Sequence, residues 1–230
     1  MHARTHLDIE PAIHYWGTPV VLISTSNADG SANLAPMSSA WWLGWSCMLG
    51  LDASSQTTEN LRRTDQCVLN LADAGMVAAV DQLALLTGTA EVPIHKQMLG
   101  YRHEADKFAA AGLTAQAALD VGAPRVRECQ VQMEASVVDI RPFAAQDPRM
   151  PVAACMVELR LSRVHVAAEL LHPGDGQRID PDRWHPLIMS FRQFHTVGQR
   201  LQASRLADTP EAFYAPWRRG NRRGAVGTAA

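Results

Sequence analysis

Two long alternating runs constrain this chain more than any other feature. Arg127 to Ile140, and the central part of Val152 to Val166, put apolar residues at every second position, which is the period of a strand with one buried face. The Gly122-Ala-Pro124 break sets them off as a long strand pair. Earlier in the chain, Pro19-Val-Val-Leu-Ile-Ser-Thr-Ser26 is β-branched and continuous enough for a buried strand. Asn27-Ala-Asp-Gly30 follows with turn chemistry, Gly30 being free to take positive φ, and predicts a hairpin. Its return strand runs through Ala32-Asn-Leu-Ala35 into Pro36, where the ladder must break or reach an edge. Trp41-Trp-Leu-Gly-Trp45, Cys47-Met-Leu-Gly-Leu51 and Asp65 to Leu71 read as further strands.

Helical signals are fewer. Thr57 to Thr64 carries helix-start chemistry, with Thr57 or Thr58 as N-cap and Glu59 in the first turn. Ala74 to Leu86 reads as an amphipathic helix, and His95 to Ala111 as another that ends at Gly112. Asp175-Gly176 marks a late turn, and Pro186 to Phe194 is mostly apolar. Strands dominate and do not alternate regularly with helices, so a doubly wound parallel sheet is not the expectation. The expectation is a mainly β chain with inserted helices, folded as a closed or partly closed antiparallel barrel. It reads as one domain over residues 1–230, with a polar lead (1–14) and an Arg-rich tail from about 215 to 230.

A chain that is 47% hydrophobic and 19% charged can bury a sizeable core, and a net charge of −2 gives no attraction to nucleic acid or an anionic membrane. Arg218, Arg219, Arg222 and Arg223 cluster in the tail without any nucleic-acid-reading motif, so they read as a solvated terminus. Cys47, Cys67, Cys129 and Cys155 form no CxxC pair and lie in apolar runs, where cysteine behaves as a small hydrophobe. The first residues lack the apolar core of a signal peptide, and no apolar run approaches a bilayer-spanning length. A reducing cytoplasm is the expected setting.

Several chemistries lack their residues. Gly174-Asp-Gly176 has no third glycine opening a helix, and no GxxxxGK[ST] or GxSxG occurs. His103-Glu104 has no second histidine at metalloprotease spacing. No metal site is expected, and an enzyme built from this chain would draw its reactivity from a bound organic cofactor. Two loops suit such a ligand. Asn33, Ala35, Pro36, Met37, Ser38, Ser39, Ala40 and Trp41 form one; Ser54, Ser55, Gln56, Thr57 and Asn60 form the other. Both are rich in small hydroxyls and amides with little bulk, and so in approachable backbone N–H groups. The second opens a helix, whose N-terminus favours a phosphate, and Arg62 or Arg63 could add charge.

The motifs in these loops resemble the flavin reductase-like, FMN-binding split-barrel family. Its opening pattern stands here as Val20-Val-Leu-Ile-Ser-Thr, then Asp29-Gly30, then Asn33-Leu-Ala-Pro-Met-Ser-Ser39. A second pattern stands as Thr57-Thr-Glu-Asn-Leu61 with Val68-Leu-Asn-Leu71. A third stands as Lys107-Phe108, Gly112-Leu-Thr114 and Pro124-Arg-Val-Arg-Glu128. The likeness spans roughly Tyr15 to Leu201. It implies a Greek-key split barrel, FMN (or FAD) at a homodimer interface, and hydride transfer from NAD(P)H to the flavin. Reduced flavin would then serve a flavin-dependent monooxygenase, or its electrons would go to another acceptor. Two further readings stay open: an FMN-holding electron carrier or flavoenzyme with its own organic substrate, and a ligand-binding or interaction barrel without redox chemistry.

Each residue also has a plainer role. Ser38 and Ser39 could satisfy local backbone after Pro36, and Asn70 on a buried strand needs a partner either in the barrel or on the flavin. One of Trp41 and Trp42 must face away from the other, toward flavin or partner subunit. These tryptophans replace smaller aromatics of the family pattern, and Phe191-Arg-Gln-Phe-His195 stands where Gly-Gly-x-Tyr is usual. His195 is a candidate proton donor near the ring or a packed side chain.

Overall fold

A computed structural model describes residues 5–210 and 214. The chain separates into two units at the Val197–Gly198 boundary. The second has a 3-10 turn, Arg205–Asp208, whose cap is Ser204, its hydroxyl accepting from the Leu206 N–H. The arginine-rich tail expected from about residue 215 lies outside the described residues.

In the first unit, strands of four or more residues are β1 (Trp16–Pro19), β2 (Val21–Ser26), β3 (Ala32–Met37), β4 (Ala40–Leu43), β5 (Ser46–Asp52), β6 (Gln66–Leu71), β7 (Val131–Phe143), β8 (Ala154–Val166), β9 (Asp175–Ile179), β10 (Leu187–Ser190) and β11 (Gln193–Thr196). The helices are α1 (Gln56–Thr64), α2 (Val77–Leu83), α3 (Ile94–Met98) and α4 (Lys107–Ala110). Seven strands form one antiparallel sheet in the order β3-β2-β6-β7-β8-β5-β4, and β1-β10-β11 form a second. The long pair β7–β8 is its centre, with ladder shifts at Glu134/Ala135 and Val137/Asp139.

The end strands of the large sheet are neighbours in sequence. Only Ser38 and Ser39 join β3 to β4, so Met37 and Ala40 lie at most about 11 Å apart. The sheet must therefore curl until its ends nearly meet, yet β3 and β4 are not paired. The result is an open, curled ladder split at the serine pair. Its concave face carries Val21, Ile23, Leu49, Leu51, Leu69, Val157 and Leu159 in one core cluster. Val20, Leu22 and Leu34 join a second cluster with Val80, Leu83, Phe108 and Val126. That is why the β2 run is continuously apolar: both of its faces are covered.

Local chemistry explains most boundaries. Gly30 takes φ +84° in the β2–β3 turn, where Asn27 N donates to Ser31 O. Pro36 sits on β3, which pairs only with β2, so its missing N–H costs no ladder bond. Several expectations need correcting. The Ala74–Leu86 helix is a 3-10 turn, Ala74–Met76, followed by α2, and the chain is extended by Leu86–Thr87. The single helix from His95 to Ala111 is two short ones. Gly100 at φ +86° stops the first, and Asp106 starts the second by accepting from the Ala109 N–H. The late turn is at Pro173-Gly174, with Gly174 at φ +86°, while Gly176 lies within β9. The β10–β11 turn places Phe191 and Arg192 at φ +46° and +64°. Side chains there carry strain of about 1–2 kcal/mol per residue, offset in part by edge-to-face packing of Phe191 on Trp16 at 4.8 Å.

Candidate functional site

The end of β5, the start of α1 and the edge strand β3 meet in one polar cluster. Ser55 is the N-cap of α1, in place of the expected Thr57 or Thr58: its hydroxyl accepts from Thr58 N at 3.1 Å and its carbonyl from Glu59 N at 3.0 Å. Of the four N–H groups that a helix start leaves without helical partners, those of Gln56 and Thr57 have no partner among the described residues, Ser55 N donating to Asp52 O. They point out of a nine-residue helix whose positive dipole end favours an anion.

The side chains of Thr57 and Asn60 are taken up in holding this helix on the sheet. Asn33 Nδ2 donates to Thr57 Oγ1 at 3.1 Å and Thr25 Oγ1 at 3.3 Å. Asn60 Nδ2 donates to Thr25 Oγ1 at 2.9 Å and Asn27 Oδ1 at 2.8 Å, while its oxygen accepts from Gln56 Nε2 at 3.1 Å. Asn33, Thr57 and Asn60 are all buried. With their side chains so engaged, what they do is hold the first turn of α1, and its backbone donors, against β2 and β3. Ser54 is exposed and folds its hydroxyl and N–H onto Asp52 Oδ1, both at 2.7 Å.

The positive charge comes from residues that sequence reasoning did not single out for it. Arg62 and Arg63 lie in the last turn of α1, and Arg63 is bonded to Ser26 O and Asn60 Oδ1. Lys96 and Lys107 supply the charge instead. Lys96 pairs with Asp52 Oδ2 at 3.1 Å, and His95 Nε2 lies 3.2 Å from the same oxygen. Burial opposes ionisation of Asp52, but hydrogen bonds from Ser54, Lys96 and His95 outweigh it and hold its pKa at about 2. Lys107, 3% exposed, donates to Asn33 Oδ1 at 3.0 Å. Burial and then nearby Lys96 lower its pKa to about 8, against a smaller pull from Glu104. Lys107 stood in the third sequence motif, where a lysine beside Phe108 was the available signal. Lys96 carried none.

This buried amine has a measurable consequence. The folded chain releases the Lys107 proton near pH 8 and the unfolded chain near its ordinary 10.5. Between those values the unfolded state binds more protons, so stability rises with pH, and below pH 8 the full penalty of the buried charge applies. The protein without added ligand should gain roughly 2–3 kcal/mol between pH 8 and 10.5 from this group, read by urea unfolding across that range. A Lys107→Met variant should lose that slope; the same slope in both proteins defeats the assignment.

The other loop lies at the split. Ala35 and Pro36 are half-buried on β3, facing Ile23 and Leu22 across the ladder. Met37 packs on the barrel core, and Ala40 belongs to it. Ser39 O accepts from Gly50 N at 2.8 Å, and a Cβ at Gly50 would come within 3.2 Å of Ser39 Cβ, so this turn rests closely on β5. Among the described residues the Ser38 and Ser39 hydroxyls have no intramolecular partner. Trp42 packs on the inner cluster, while Trp41 points outward and is 56% exposed.

Two candidates stand apart. Asn70 is fully buried within the barrel: its Nδ2 reaches Leu22 O, Ser24 Oγ and Val68 O, and its oxygen accepts from Val126 N at 2.8 Å. Its amide is saturated by the protein, leaving it no donor for a ligand. His195 is exposed on β11, opposite Ile188.

The fold and its loops can be set beside known proteins. The family profile of the flavin reductase like domain matches residues 13–198. Bacillus subtilis (strain 168) YdfE, a protein described as uncharacterized, is 32% identical over 198 residues, covering 86% of this chain and 92% of its own. Flavoredoxin of Desulfovibrio vulgaris (Miyazaki F) superposes with a TM-score of 0.69 at 19% identity, over 89% of this chain and 99% of that one. Nitrilotriacetate monooxygenase component B from Bacillus cereus superposes with a TM-score of 0.68 at 18% identity, over 86% and 100%. With motifs, curled open sheet and family profile in agreement over the same residues, the chain belongs to the flavin reductase-like split-barrel family.

Proposed function

We propose that this flavin-related oxidoreductase holds FMN, with its phosphate at the first turn of α1 and its ring against the Pro36–Trp41 loop, and reduces it with NAD(P)H. The observation that carries this reading is the buried positive charge around α1. Lys107 is 3% exposed, has an amide oxygen as its partner and lies close enough to Lys96 to feel its charge. A buried cation without a counter-ion is costly, and the unpaired N–H groups of Gln56 and Thr57 add to the same field. An anion at this point satisfies both.

The residues fit the group. Gln56 and Thr57 N–H would bind the phosphate, Ser55 would hold those donors in place, and Asn33 and Asn60 would keep α1 seated on β2 and β3. At the split, Ser38 and Ser39 would meet the polar edge of the ring with hydroxyls that have no other described partner. Bound there, a flavin would supply two-electron redox chemistry, with NAD(P)H as the hydride donor. The protein's share is to position and to exclude water.

The same reading places a homodimer at this site. Trp41, Leu43 and Trp45 are 56%, 76% and 49% exposed on and beside the edge strand β4, a surface suited to cover by a second copy. A flavin-dependent monooxygenase would take the reduced flavin, in the cytoplasm, with one functional domain per chain. Among the described residues no helix is long and apolar enough to cross a membrane.

Purification followed by visible spectroscopy with added FMN tests the core of this. The expected result is a bound-flavin spectrum, FMN binding more tightly than riboflavin, and NADH or NADPH oxidation that depends on flavin. A protein with no flavin spectrum after saturation would sink the proposal. Binding without turnover on either nucleotide would remove the reductase step while keeping the site.

A further inference from the structure

Lys107 sits behind the site, screened from it by Asn33. The ammonium donates to Asn33 Oδ1, and the backbone of Gly88 closes over the same oxygen: a Cβ at Gly88 would stand 2.5 Å from it. Asn33 is only 2% exposed, so Lys107 decides which way this amide points. With the oxygen turned to Lys107, Nδ2 must face Thr57 and Thr25, as it does. The charge thus stands two hydrogen bonds from the first turn of α1.

No carboxylate among the described residues lies within 4.0 Å of the Lys107 nitrogen to balance it. The charged groups acting on it are Lys96, of the same sign, and Glu104, which opposes. Asp52 is already engaged by Ser54, Lys96 and His95. From β3 only the Asn33 amide faces it, and Glu59 on α1 and Asp81 on α2 are exposed.

We propose that Lys107 is the residue that makes this site select phosphorylated over unphosphorylated flavin, acting through Asn33 without touching the phosphate and taking up a proton as the phosphate docks. The inference rests on the phosphate reading of α1 given above. In proton terms the step is the neutral amine plus one proton from solvent giving the ammonium, drawn by the arriving dianion. The phosphate itself is fully ionised above pH 7, its second pKa being about 6. Affinity for the phosphorylated ligand therefore falls as pH rises through the Lys107 transition near 8, while affinity for the same ring without phosphate stays level.

FMN and riboflavin affinities, measured by flavin fluorescence quenching on the full chain from pH 7.5 to 9.5, test this. The wild-type FMN-to-riboflavin affinity ratio should fall about tenfold across that range. At pH 8.5, calorimetry in buffers of different ionisation enthalpy should show FMN binding taking up about half a proton, and riboflavin binding none. Lys107→Met should lower the ratio at pH 7.5 and flatten its pH profile, while Lys107→Arg should keep a high ratio that no longer changes with pH. A high wild-type ratio that is constant with pH and without proton uptake overturns the proposal and spares the phosphate reading. A wild-type ratio near one at pH 7.5 overturns the phosphate reading and this proposal with it. If Lys107→Met does not fold, the wild-type proton uptake decides alone.

Discussion

Replacing Gly88 by alanine should weaken FMN binding by about a hundredfold or more, the largest functional effect expected of a single methyl group in this chain. The added Cβ would lie 2.5 Å from Asn33 Oδ1, 3.0 Å from Gln56 Cγ and 3.2 Å from Gln56 Cβ. Asn33 cannot yield without losing Lys107 on one side and Thr57 on the other. Gln56 cannot yield without moving the first turn of α1, to which its amide is tied through Asn60. Overpacking of this kind costs about 1–3 kcal/mol in stability, and a displaced donor pair adds its loss in binding, each 1.4 kcal/mol being tenfold. Titration of the variant with FMN measures the effect. An affinity within threefold of wild type would mean that the Thr87–Thr89 segment moves aside freely and that the cluster is not the binding machinery.

Asn70→Leu should destabilise the fold by about 3–5 kcal/mol, with a much smaller direct effect on flavin contacts. The asparagine ties β6 to β2 through Leu22 O and to the Arg125–Val126 segment through Val126 N. Leucine fills a similar volume but leaves the Val126 N–H, which is buried with its residue, without its acceptor. Ser24 Oγ, bonded to Pro124 O and Val68 O, and Gln132 Nε2, bonded to Val126 O, would be polar ties left in that corner. Urea unfolding gives the loss directly. A change below about 1 kcal/mol would mean that water replaces the amide and that the buried network is not closed.

The β elements were readable because each carries its own cause. Alternation marked β7 and β8, apolar continuity marked β2, and Gly30 marked the hairpin between β2 and β3. Failures came where local signals compete. From Ala74 to Ala111 the residues are helix-tolerant throughout, yet Gly100, the Asp106 cap and the pairing of Leu86–Thr87 with Arg102–His103 cut the stretch into short pieces. At α1 the sequence offered Thr57 or Thr58 as the cap, and only the turn after Asp52 selects Ser55. The sequence put Asn33 in one loop and Thr57 and Asn60 in the other; the coordinates join the two loops, Asn33 bonding Thr57 and Thr25, and Asn60 bonding Thr25 and Asn27.

Family membership and the two loops were already written in the order of residues along the chain, because strand–turn–Asn-x-Ala-Pro-x-Ser and Thr-x-x-Asn are local patterns. Tertiary structure alone decided where the charge comes from. Lys96 and Lys107 are 36 and 47 residues beyond Gln56–Asn60, measured from Asn60, and no periodicity links them to it. They arrive there because the segment after β6 folds back over β3 and α1, with Gly88 admitting the close approach. A contact between such distant residues depends on the path of the whole curled sheet, and electrostatics at a helix start depends on which charges that path delivers.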